Sequence, residues 1–89
     1  MSNRKGKSMK VEVVVLPRRG ILDPQGKTIS EALGNTGFSG VSSVRAGKFF
    51  ELEIEAESTA QAEEAGAEMA RTLLANPVTE DFRVLIPSE

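Results

Sequence analysis

The stretch Val44-Arg45-Ala46-Gly47-Lys48-Phe49-Phe50-Glu51-Leu52-Glu53-Ile54-Glu55-Ala56 decides how the rest of the chain is read. From Phe50 it alternates strictly. Phe50, Leu52, Ile54 and Ala56 fall on one side, and Phe49, Glu51, Glu53, Glu55 and Glu57 on the other. A period of two with one apolar face is a strand packed on one side only. Ahead of it, Ala46-Gly47-Lys48 breaks the apolar pattern and reads as a hairpin turn from a shorter strand, 41–45, into the long one. A hairpin with one oily face needs a layer of helices over that face.

Both flanks supply one. Upstream, Asp23 is placed to cap a helix and Pro24 suits its first position, where no amide partner is needed. Ile29, Ala32, Leu33 and Thr36 recur at helical spacing, Gly37 ends the helix, and Phe38 is expected to fold back onto the core. Gly26 weakens the first turn by about 1 kcal/mol relative to Ala, which fits either a close backbone approach or simple tolerance. Downstream, Ser58 with Gln61 three residues on forms a capping box. Ala62, Ala65, Gly66, Met69, Ala70, Leu73 and Leu74 make the buried side of the second helix, and Asn76-Pro77 stops it.

A strand opens the domain over 10–16, with Val11, Val13 and Val15 on one face and Glu12, Val14 and Leu16 on the other. Pro17 ends it, and Arg18-Arg19-Gly20 follows as a basic loop. A closing strand carries Phe82, Val84 and Ile86 inward and Asp81, Arg83 and Leu85 outward. The order β-α-β-β-α-β with right-handed crossovers predicts an α+β ferredoxin-like plait: a four-stranded antiparallel sheet with two helices on one face.

Eighty-nine residues make one domain, placed at 9–89, after a disordered basic arm at 1–8, with Met9 an alternative natural start. The arm has no apolar core of the kind a secretory signal needs, and no run reaches membrane-span length. The expected location is cytoplasmic. Net charge is −2, but Arg4, Lys5, Lys7 and Lys10 hold four of the eleven basic residues. From Val11 onward seven basic residues face thirteen acidic ones, which argues against nucleic acid as a partner.

Cysteine and histidine are both absent, as are Tyr and Trp. That removes disulfides, thiolate metal sites, cysteine nucleophiles and the usual general base. No nucleophile, base and orienting group can be assembled, so no catalytic, cofactor or metal residue is expected. Glu51, Glu53 and Glu55 share a strand face, where a row of acids is ordinarily solvated. The plait leaves one sheet face open, and Val14, Leu16, Phe49 and Leu85 on it are the candidate surface for a homodimer or higher oligomer. A single Phe among glutamates there does not suit stacking on RNA bases.

Three stretches remain: Asp23-Pro24-Gln25-Gly26-Lys27, Arg45-Ala46-Gly47-Lys48, and the run from Ala75-Asn76-Pro77 to Phe82. Each has a purely structural reading as cap, turn or helix stop, and Gly47-Lys48 is no P-loop. In this order and spacing they resemble the PurS family, the small subunit of phosphoribosylformylglycinamidine (FGAM) synthase, from about Met9 to Ile86. The likeness also takes in Ala-Leu and Gly-Phe around the first helix end and Leu-Leu-Ala-Asn-Pro-Val-x-Glu-Asp-Phe. Departures are the basic arm, Phe50 where Met or Tyr is expected, and Phe82 where Tyr is expected.

The resemblance implies a scaffold subunit in purine biosynthesis, part of an ATP-dependent C–N ligase with glutamine as nitrogen donor. It implies a PurL-type synthetase and a PurQ-type glutaminase as partners, bridged so that ammonia passes between them as FGAR becomes FGAM. ATP and Mg would sit in the synthetase, with no cofactor in this chain. Candidate partner contacts are Asp23, Gln25, Gly26, Lys27, Arg45, Gly47, Lys48, Asn76 and Pro77. The alternative is a free-standing ACT-type regulatory module, which shares the element order and binds amino acids.

Overall fold

Val11, Val13 and Val15 are wholly buried, and the strand that carries them is the axis of the molecule. The computed structural model describes residues 6–20 and 23–87. β1 (Lys7–Pro17) runs between β2 (Lys48–Ala56) and β3 (Glu80–Leu85), antiparallel to both, giving the sheet order β2-β1-β3. Val13 lies opposite Phe50 and Val84, so the inward residues of all three strands share one face. The alternation expected for β2 holds: Ile54 and Ala56 are buried, Leu52 is half-buried, and Phe49, Glu51 and Glu53 are exposed. Lys7 and Ser8, expected in the arm, instead pair with Ala56 and Glu55; residues 1–5 of the arm lie outside the described residues.

α2 (Thr59–Met69) packs across this face on all three strands. Ser58 caps its start as expected, its Oγ accepting from the Gln61 amide at 3.1 Å. Gln61 Oε1, however, accepts at 2.7 Å from the amide of Glu57, one residue ahead of the cap, where a capping box would use that of Ser58. Ala62 is fully buried, and a Cβ on Gly66 would stand 2.9 Å from Val11 and 3.3 Å from Val84. Small residues therefore let the helix lie against the valines. The core has two lobes, one around Val11, Ile54, Ala56 and Ala62, the other around Val13, Val15, Ala70 and Ala75. Each buried valine contributes about 1.5–2 kcal/mol.

The helix continues as a π-helical turn over Ala70–Leu74, closed by the Ala75 amide donating to the Ala70 carbonyl five residues back. The wider turn changes the phase of the apolar stripe. Leu74 stays half-buried, but Leu73 is 82% exposed and Met69 41%. Those two correct the expected buried side.

Two larger corrections concern the first helix and the hairpin. The sheet has three strands among the described residues, not four: residues 41–47 form no strand and pair with none. The order β2-β1-β3 is what a ferredoxin-like plait leaves when one edge strand is removed. At the expected turn, Gly47 does not have the positive φ that a tight hairpin demands. It is there for space, because a Cβ would run into the Val15 carbonyl. The chain passes straight into β2 instead of reversing.

α1 (Pro24–Asn35) consequently stands off the sheet, where α2 alone covers the face. Gly37 ends it at φ 102, with Phe38 N–H on the Leu33 carbonyl and Gly37 N–H on that of Gly34. That pair of bonds is a Schellman closure. Phe38 does not reach the core and is 58% exposed. The radius of gyration is 17.1 Å, against about 12 Å for a compact chain of this length, so α1 and the return segment form a projecting arm.

Candidate partner-docking site

The three stretches singled out in the sequence meet at one end of the sheet, where β1 finishes, β2 begins and α1 starts. Asp23 is the joint. Its Oδ1 accepts from the Gly26 amide at 3.0 Å, as a helix cap should. Its Oδ2 reaches across to accept from the Ala46 amide at 2.9 Å. These two amides, Ala46 foremost, hold the carboxyl below the ordinary carboxylate range against a partial loss of hydration. One side chain thus caps α1 and ties it to the strand that enters β2.

Gly26 completes the joint. It is buried, and a Cβ there would collide with the Val44 carbonyl and lie 2.6 Å from Asp23 Oδ2. Of the two readings left open for this glycine, close backbone approach is the one the fold uses. Pro24, Gln25, Ala46, Pro17 and Glu80 then border one shallow groove of about 410 Å³, which brings α1's first turn beside the turn before β3.

That turn is built by Asn76. Its Oδ1 accepts from the Val78 amide at 2.9 Å, and its carbonyl accepts from the amides of Thr79 and Glu80. Glu80 Oε1 accepts in return from the Asn76 amide at 2.7 Å. Asn76 works through its side chain in an Asx turn, not through a left-handed backbone, since no non-glycine residue among those described has positive φ. Pro77 is held from outside: Arg18 Nη2 donates to its carbonyl at 2.8 Å, and the Arg18 amide donates to Thr79.

Arg45 and Lys48 are exposed and partly engaged. Arg45 Nη1 donates to the Pro17 carbonyl at 3.1 Å; Lys48 Nζ lies 3.4 Å from the Leu74 carbonyl and 3.7 Å from Glu80. Lys27 reaches Glu31 at 3.7 Å. Arg18, Arg19, Arg45 and Arg83 line one cleft beside Val14 and Leu16, and Arg71 joins Arg18 on another. Every basic residue from Val11 onward therefore sits around this end, where Arg18, Lys48 and Arg71 already pair with Asp81, Glu80 and Glu68. The pattern suits an acidic partner surface, met by guanidinium forks.

Sequence reasoning named Asp23, Gly26, Arg45, Lys48, Asn76 and Pro77 but missed Arg18 and Glu80, which bind the turn together. The Arg18-Arg19 pair on an acidic domain was the available signal. Val14, Leu16, Phe49 and Leu85 do lie on the open face as expected. Register sets Val14 directly beside Phe49, with Leu16 next along β1 and Leu85 opposite Glu12. Phe49 is 58% exposed and Leu85 42%. Glu51 on the same face pairs with Lys10 at 3.6 Å. Among the described residues no three acids cluster to hold a metal, and no helix is long and apolar enough to cross a membrane.

A family model described as PurS, phosphoribosylformylglycinamidine (FGAM) synthase, matches residues 10–88. The phosphoribosylformylglycinamidine synthase subunit PurS of Mycobacterium leprae is 48% identical over 77 residues, covering 86% of this chain and 94% of that one. The crystal structure of the PurS subunit from Thermotoga maritima superposes with a TM-score of 0.84 at 32% identity, over 94% of this chain and 97% of that one. A chain in the structure of PurLQS from the same organism gives 0.82 at 33% identity, over 91% and 99%. These matches do not favour the ACT-type alternative.

Proposed function

The chain belongs to the PurS family of phosphoribosylformylglycinamidine synthase, a purine-biosynthesis enzyme, and on that premise we propose that it is the bridging subunit of such a complex. The observation that carries the reading is the likeness to a chain of PurLQS over nearly the full length of both. It joins a PurL-type synthetase to a PurQ-type glutaminase, in the cytoplasm, so that ammonia from glutamine reaches the site where FGAR becomes FGAM. ATP and Mg belong to the synthetase, and this chain supplies no catalytic side chain and binds no cofactor. Its contribution is a rigid basic end, where Asp23–Lys27, Arg45, Gly47, Lys48, Asn76 and Pro77 present contacts fixed by the Asp23 and Asn76 hydrogen bonds. Self-association through Val14, Leu16, Phe49 and Leu85 accompanies that role, because adjacent apolar side chains on an open sheet face favour a partner.

The double variant Arg45→Ala with Lys48→Ala tests this in the reconstituted complex. Both side chains are exposed and bond only at the surface, so their loss changes stability by less than about 1 kcal/mol. Glutamine-dependent synthesis should fall more than synthesis supplied with ammonia, because a loosened bridge uncouples the glutaminase first. Unchanged rates in both assays would remove this end from the interface.

A further inference from the structure

Four of the seven basic residues from Val11 onward meet in one cleft at the end of the sheet. Arg18 and Arg19 follow β1, Arg83 stands on β3, and Arg45 lies on the segment entering β2. The cleft holds about 650 Å³, within the size range of small-molecule sites, and half-buried Val14, Leu16 and Phe82 give it an apolar floor. Register places Arg83 beside Val14 and Asp81 beside Leu16. Among the described residues Asp81 is the one acid that lines it.

Gathering four guanidiniums costs repulsion, and the fold does little to relieve it. Asp81 reaches Arg18 at 3.7 Å. The other fixed contacts are neutral: Arg18 donates to the Pro77 carbonyl at 2.8 Å, and Arg45 to the Pro17 carbonyl at 3.1 Å. A carbonyl orients a guanidinium without cancelling its charge. Arg19 and Arg83 have neither an ion pair nor a side-chain hydrogen bond among the described residues. Two arginines are thus held in place, and two are free to close on a ligand.

Their chemistry selects that ligand. Guanidinium forks match the oxygens of a phosphate, and the planar face of arginine stacks on aromatic rings. Inorganic phosphate would leave Val14 and Leu16 bare, whereas an ester with a ring system covers them. No nucleophile with a base beside it lines the cleft, so a bound ester is an effector and not a reactant.

We propose that this cleft binds a nucleoside monophosphate, its phosphate among Arg19, Arg45 and Arg83 and its ring system over Val14 and Leu16. The site needs that end of the open sheet face uncovered. It involves neither a synthetase nor a glutaminase, and its test uses the isolated chain, so it stands or falls independently of the bridging role.

The test is titration calorimetry with AMP as the probe. Low micromolar protein keeps a second chain on the open face from competing for Val14 and Leu16. AMP should bind saturably with a Kd below about 1 mM, and inorganic phosphate and adenosine should each bind at least about tenfold more weakly. Amide chemical-shift changes should centre on Val14, Leu16, Arg19 and Arg83. Arg19→Gln and Arg83→Gln alter exposed side chains, and each should weaken AMP binding about tenfold with helix content retained. Lys10→Gln removes the same charge from outside the cleft and should bind as the wild type does. Absence of saturable AMP binding overturns the proposal, as does equal affinity for inorganic phosphate or an equal loss in Lys10→Gln. Tighter binding of a single-stranded oligonucleotide, growing with its length, would assign the arginines to nucleic acid and equally overturn it.

Discussion

Two glycines lie in α1, and replacing each by alanine should move the helix in opposite directions. Gly34 faces open space, with nothing within 4 Å of a built Cβ and no positive φ. Alanine there gains about 1 kcal/mol of helix propensity, equivalent to about fivefold slower amide exchange across 27–35. Gly26→Ala gains at most the same amount but must place its methyl into the Val44 carbonyl and against the Asp23 carboxylate. Neither can withdraw cheaply: one is backbone, and the other is held by the amides of Gly26 and Ala46. Overpacking of this kind costs about 1–3 kcal/mol, and it displaces the cap as well. The net loss is about 1–2 kcal/mol, so exchange in α1 should accelerate about fivefold to thirtyfold. Hydrogen exchange read residue by residue is the right assay, since α1 stands off the sheet and can open locally. Slower exchange in Gly26→Ala would refute the argument that this glycine exists for contact with the return segment.

Asp23 should make α1 sensitive to acid. Its carboxyl is held below the ordinary range when folded, so its stabilisation is complete above about pH 4 and is lost as pH falls through the lowered value. Asp23→Asn, followed by helical circular dichroism from pH 7 to pH 2, should start with a weaker arm and lose less on acidification; parallel curves for the two proteins would dismiss the carboxylate as the cause. Val13→Ala should cost about 2–3 kcal/mol in urea denaturation, because Val13 is fully buried between the sheet and the second core lobe. A loss below about 1 kcal/mol would mean that α2 closes over the gap.

Strand faces, caps and stops were legible without coordinates. Period-two alternation assigned the inward sides of all three strands, because a one-residue slip would turn every glutamate of β2 into the core. Local hydrogen-bonding chemistry likewise marked Asp23, Ser58 and Gly37, since each acts within a few residues of itself. The order of elements and the family resemblance also came from the residues alone.

What needed the tertiary structure was every relation between elements remote in sequence. Whether Ala46-Gly47-Lys48 turns or runs straight depends on Val15, Pro17 and Asp23, which lie more than twenty residues away. Local pattern supports both forms equally, so the fourth strand and the placement of α1 were not readable from it. The same holds for Leu73, whose exposure follows from one π-helical turn that no periodicity marks. A sequence determines which faces must be covered, because burial is a property of each side chain. Which chain segment covers them is decided by long-range contacts, where a few hydrogen bonds at one joint send a whole helix away from its own sheet.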